Sequence, residues 1–156
     1  MGARTNLEGI PAPFSRAVDE VKRAVARPEL EIGEMPPPQR IAPWAYAMTA
    51  DVVVSGAELG TGRFIVLHDP AGNEAWNGTF RCVTFARAEI EHEMATDPLI
   101  TEVGWSWLTD ALDDAGATYR SEAGSITVVR SESFGTMVDD EATAQIEVRA
   151  SWTPDG

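Results

Sequence analysis

The chain is poor in the residue types that build reaction centres. It holds one cysteine, Cys82, and two histidines, His68 and His92. A single cysteine excludes an internal disulfide and fits a reducing compartment. No apolar run approaches the roughly 18 residues that a membrane-spanning helix needs. The start, Met1-Gly2-Ala3-Arg4-Thr5-Asn6, has no apolar stretch of the kind that opens a secretory signal. It also lacks the Ser or Thr that a myristoylation motif carries at the sixth position. Lysine is nearly absent too: of the twelve basic residues only Lys22 is not arginine. These absences predict a cytoplasmic protein with no membrane segment.

Acidic residues, by contrast, are plentiful and unevenly placed. The net charge is −13, with −1 falling on residues 1–88 and −12 on residues 89–156, where Arg120, Arg130 and Arg149 are the only cations. A surface of that sign repels phosphate backbones, so nucleic acid is not an expected partner. The composition, 44% hydrophobic and 24% charged, is that of a globular chain, and 156 residues suffice for one domain with a core but not for two. The expected organisation is a single domain over 11–154, a flexible tail over 1–10, and a short end at 155–156.

Periodicity supplies the elements. Phe14, Val18, Val21 and Val25 recur at helical spacing from Pro13 to Arg27, and Pro28 ends that helix. Glu29 to Ile32 alternates weakly, as an edge strand would. Pro36-Pro37-Pro38 and Pro43 mark an extended connector. Strands follow over Ala47–Ser55, closed by Gly56, then over Arg63–His68 and from Trp76 to about Phe85 or Ala88. Asp69-Pro70-Ala71-Gly72 has the residues of a type I turn, which predicts a hairpin pairing His68 with Glu74, Val66 with Trp76 and Phe64 with Gly78. A second helix runs over Val103–Ala115, with Trp105, Leu108, Leu112 and Ala115 as its apolar stripe and Gly116 as its stop. Tyr119 to Arg130 reads as another hairpin, turning at Glu122–Ser125. Ala144 to Trp152 alternates cleanly as a final strand whose far edge has no evident cover. The order α-βββ-α-ββ(β) predicts an α+β fold: an antiparallel sheet of five to six strands with two helices on one face.

Motifs that carry chemistry are not assembled in this sequence. Glu91-His92-Glu93 is a cluster of metal-ligating types but matches no spaced zinc motif, and Asp139-Asp140-Glu141 lacks the ligand spacing of a calcium loop. Glu91, His92 and Glu93 are the weak metal candidates, and neither a metal nor a cofactor is expected. Cys82 lies mid-strand with no base beside it and reads as a small core residue. His68 reads as an exposed partner of Glu74. Ser131-Glu132-Ser133-Phe134-Gly135 is no nucleophile elbow, and Gly60-Thr61-Gly62 is no phosphate loop. No catalytic residue is assigned. Of the five tryptophans, Trp76, Trp105 and Trp152 fit apolar faces. Trp44 in the proline connector and Trp107 on the other side of its helix are the expected exposed pair, and so the candidate partner-binding residues.

The segments Pro37-Pro38-Gln39-Arg40-Ile41-Ala42-Pro43, His68-Asp69-Pro70-Ala71-Gly72, Glu102-Val103-Gly104-Trp105-Ser106-Trp107-Leu108 and Ala150-Ser151-Trp152-Thr153-Pro154 resemble an actinobacterial family. It is defined as a domain of unknown function, number three thousand in its series. The resemblance spans Pro11 to Pro154 and implies a small cytosolic bacterial protein, with no activity or functional residues to carry over. Its members continue with an apolar helix, which implies exposed apolar surface and self-association in a chain without one. The element order is also similar to that of type III secretion chaperones, many of which are acidic dimers that bind other proteins. The expectation is therefore a non-enzymatic, acidic, chaperone-like binding or adaptor module, homodimeric, with a protein partner. The alternative is a small-molecule-binding protein or enzyme with its pocket between the sheet and the Val103–Ala115 helix.

Overall fold

A computed structural model describes residues 9–38 and 40–155. Of the expected N-terminal tail, residues 1–8 lie outside the described residues, as do Gln39 and Gly156. The elements in chain order are α1 (Ala12–Arg23), β1 (Leu30–Met35), β2 (Trp44–Val54), β3 (Ala57–Asn73), β4 (Gly78–Ile90), α2 (His92–Ala95), α3 (Ile100–Asp114), β5 (Tyr119–Ser131), a short 3-10 turn (Gly135–Met137) and β6 (Thr143–Pro154). The six strands form one sheet in the order β1-β2-β3-β4-β6-β5, and every neighbouring pair is antiparallel. The fold is α+β, as the periodicity predicts.

Local chemistry accounts for most boundaries. Proline at the start of α1 needs no backbone donor there, and Lys22 and Arg23 in the last turn complement the helix dipole. The helix ends before the expected Arg27, because Ala24 already takes extended backbone. Ser55 and Gly56, both at positive φ (53° and 79°), form the two-residue turn between β2 and β3. The weak alternation after Glu29 is a real strand, β1, at one edge of the sheet.

Two hairpin expectations are corrected. Asp69–Gly72 does not reverse the chain. It forms an irregularity within β3, and the reversal comes at Asn73–Gly78, where the Asn73 side-chain carbonyl accepts from the Ala75 N–H at 2.9 Å. Pro70 cannot donate to a ladder, which suits it to a bulge. His68 consequently pairs with Phe80, Val66 with Cys82 and Phe64 with Thr84, while Trp76 lies in the turn. The expected hairpin at Glu122–Ser125 is likewise absent. β5 runs straight through with a bulge between Arg120 and Ala123, where Ser121 has φ 56°. The final strand, expected at an edge, is enclosed between β4 and β5.

Both long helices share one face of the sheet. Phe14 of α1 stacks on His68, which pairs with Phe80, and Gly104 of α3 sits against Ile146, which pairs with Ala88. Phe80 and Ala88 lie eight residues apart on β4 and therefore point the same way. The buried core is Phe14, Val66, Cys82, Ile100, Ala144, Ile146, Ala150 and Trp152, with Ala47 and Leu67 buried on the opposite face.

Close approach of α3 to the sheet depends on two glycines. A methyl group on Gly104 would lie 2.9 Å from the tip of Ile146, and one on Gly124 would lie 2.8 Å from the Trp105 ring and 2.9 Å from the Ala150 Cα. The Ile146 tip can turn aside, whereas the Ala150 backbone cannot. Gly124→Ala is thus expected to destabilise the fold by about 3 kcal/mol and Gly104→Ala by less, measured by urea unfolding.

Candidate functional site

The site is built around the docking of α1. Phe14 is its one buried residue. The Phe14 ring lies parallel to the His68 imidazole (centroids 6.1 Å, 9° between planes) and tilted against Trp44 at 6.0 Å. His68 in turn stacks on Phe80 at 4.1 Å. Toward the other end of the helix, the Lys22 ammonium stands 5.5 Å from the centre of the Tyr46 ring. Between these two supports, α1 and the sheet enclose a cleft of about 1260 Å³. Tyr46, Met48, Phe64, Val66, Phe80 and Cys82 form its floor, Ala17 and Val21 its helix side, and Arg16, Glu20, Glu34, Arg120 and Asp155 a mixed charged rim.

Strand alternation explains the floor. Tyr46 pairs with Val66 and Met48 with Phe64, so the even-numbered residues of β2 and β3 present one apolar surface toward α1. Burial, and then the nearby Glu34, raises the Tyr46 phenol and keeps it protonated. Hydrogen bonds gather around Thr153 and Arg120, which line one part of the cleft. Buried Arg81 donates to the hydroxyls of Thr153 (2.9 Å) and Ser151 (2.8 Å), and the Thr153 hydroxyl donates to the Trp76 carbonyl. Arg120 donates twice to the Asn77 carbonyl (3.1 and 2.5 Å) and pairs with Asp155. The Asn73–Gly78 turn is in this way tied to the C-terminal strand.

His68 is buried, not the exposed partner of Glu74 that the turn chemistry predicts; the changed register moves it from the surface to the core. Its Nδ1 lies 2.9 Å from the Thr79 carbonyl, which can only accept, so Nδ1 carries the hydrogen. Burial lowers the imidazole's pKa, against smaller opposing effects of the Thr79 carbonyl and Asp69. Cys82, on the cleft floor, is buried, and that burial raises its thiol to about 11 despite the adjacent Arg81.

The residues singled out from sequence are not brought together. Trp44 is half-buried against Phe14, whereas Trp107 is 44% exposed and borders a second, smaller groove of about 360 Å³ with Leu30, Val52, Gly60 and Ile146. Glu91 precedes α2 and contributes its backbone carbonyl to that helix, and Glu93 does the same for Thr96. The His92 Nε2 is buried without a hydrogen-bond partner and stands 3.9 Å from Glu132. Among the described residues no group of three His, Cys, Asp or Glu side chains stands close enough to hold a metal ion. The larger cleft lies under α1, not under the helix singled out for the alternative reading. Its lining went unassigned from sequence, although Trp44, Tyr46 and Met48 alternate opposite the amphipathic stripe of α1.

Two measurements follow from these burials. An imidazole with a lowered pKa contributes stability that is present above its ordinary 6.5 and is lost as pH falls toward the folded-state value. The melting temperature should therefore drop more between pH 7 and pH 5 in the native protein than in His68→Phe. The Cys82 thiol should react with a disulfide reagent at pH 8 at least roughly a hundredfold more slowly in the folded protein than in denaturant.

Among the described residues no helix is long and apolar enough to cross a membrane. No curated protein and no solved structure matches the chain. A family model described as protein of unknown function (DUF3000) matches residues 10–156. The chain belongs to that family.

Proposed function

We propose that the protein is a cytoplasmic, non-enzymatic binding module that takes an apolar segment of a protein partner into the cleft beneath α1. The observation that carries this reading is the mounting of the helix. α1 is amphipathic, buries a single residue, and stands over an apolar floor far larger than Phe14 can fill. The cleft runs along the helix from Pro13 to its end at Arg23, a length of about 15 Å at 1.5 Å per residue. An elongated, open-sided groove with an apolar floor and charges at its rim suits a helical or extended peptide better than a compact metabolite. Neither reactive side chain at the cleft favours an enzymatic reading: the thiol of Cys82 is held protonated, and the Nδ1 hydrogen of His68 is already donated.

A second reading, an apolar small molecule bound beside α3, is favoured by the groove at Trp107, whose lining is almost wholly apolar. The two readings separate by mutation. The native protein is expected to bind an anilinonaphthalene sulfonate probe and to release it to an amphipathic helical peptide. Ala17→Trp, which fills the cleft from the helix side, should weaken the probe by roughly tenfold without lowering the melting temperature, while Trp107→Ala leaves it unchanged. Binding insensitive to Ala17→Trp but lost in Trp107→Ala would transfer the site to α3. An absence of probe binding would refute both.

A further inference from the structure

The two edges of the sheet are built differently. β1 is six residues long, carries Glu31 and Glu34, and is bounded by Pro28 on one side and Pro36-Pro37-Pro38 on the other. Short length, charge and flanking proline are the usual means by which a sheet edge is kept from pairing with another chain. β5, at the other edge, is thirteen residues long. Its segment Gly124–Val129 has no charged residue and no proline, and Ile126, Thr127, Val128 and Val129 are all β-branched. Among the described residues no strand pairs with its outer side. From Ala123 to Ser131 the inner side is in regular register with β6, so the backbone there is extended without a bulge, and alternate N–H and C=O groups point outward.

We infer that β5 is a self-association edge, pairing antiparallel with β5 of a second copy to make one continuous sheet across a two-fold axis. Charge selects the occupant and the register. In an antiparallel pair of identical strands, residues related by a constant sum face each other. Centring the pair on Ile126 sets Ser125 against Thr127, Gly124 against Val128 and Ala123 against Val129. It also brings Glu122 of each copy beside Arg130 of the other. Both side chains are exposed, and among the described residues neither forms an ion pair. Centring on Thr127 would instead set Glu122 against Glu132, a like-charge pair, so the first register is preferred. The bulge at Ser121 and Glu122 ends the regular ladder on one side, which fixes the length of the paired segment. This inference is independent of the cleft, which lies at the other long helix.

The test is the mass of the full chain by sedimentation equilibrium, alone and in variants that keep the fold by circular dichroism. The native protein should sediment as two chains at high micromolar concentration, and alternate backbone amides of residues 123–130 should gain hydrogen-exchange protection as concentration rises. Thr127→Lys places a gatekeeper charge mid-edge and should give one chain. Glu122→Arg and Arg130→Glu should each weaken the dimer by roughly tenfold, and the double variant should recover it. A native protein that remains a single chain at the highest concentration overturns the inference. So does a dimer indifferent to Thr127→Lys, which would place the interface elsewhere, and so does a double variant no better than the singles.

Discussion

The stack of Phe14 on His68 fixes the position of α1, and the cleft exists because that stack is nearly all that fixes it. A helix of twelve residues is marginal alone in water, so its order comes from docking. Burying one phenylalanine side chain contributes roughly 2–3 kcal/mol, enough to anchor one end of the helix but not to draw its whole length onto the sheet. The far end is held by Lys22 over Tyr46, an exposed cation over a half-buried ring. Such a contact is weaker still at a solvated position. Space therefore remains between the supports, over a floor that strand alternation has made apolar.

The stack in turn depends on the register of β3 with β4. Were the chain to reverse at Asp69–Gly72, His68 would lie opposite Glu74 near the end of a short hairpin, and Phe14 would have no buried imidazole to meet. Reversal at Asn73–Gly78 puts His68 opposite Phe80 instead. The same reversal leaves Cys82 opposite Trp152 of β6 and lets β4 carry the C-terminal strand as its other neighbour. The hydrogen bonds from Arg81, Thr153 and Arg120 reach back to the turn and hold it there, so the turn and the last strand position each other.

Much of this could be read along the chain where a pattern is local. The spacing of Phe14, Val18 and Val21 gives α1, that of Trp105, Leu108 and Leu112 gives α3, and the alternation from Ala144 to Trp152 gives β6. Side-chain alternation also placed Phe64, Val66 and Phe80 on one face correctly, since a shift by an even number of residues leaves faces unchanged. Turns were harder. Asp69 and Asn73 offer nearly the same hydrogen-bonding chemistry four residues apart, and Gly124 looks like a turn residue when its small size serves the contact of β5 with Trp105. In both places a distant partner decided between local options of similar merit.

The amino-acid order by itself determined the class of fold, the two long helices, the shared face of the central strands and the uneven acidic charge, because each is a property of composition or of neighbours within a few residues. Tertiary structure alone decided that His68 is buried, that α1 rather than α3 overlies the larger cleft, that β6 lies inside the sheet, and that β5 is left at its margin. Those outcomes rest on pairings between residues far apart in the chain, whose free energies are set by which strand lies next to which. No local spacing encodes that choice.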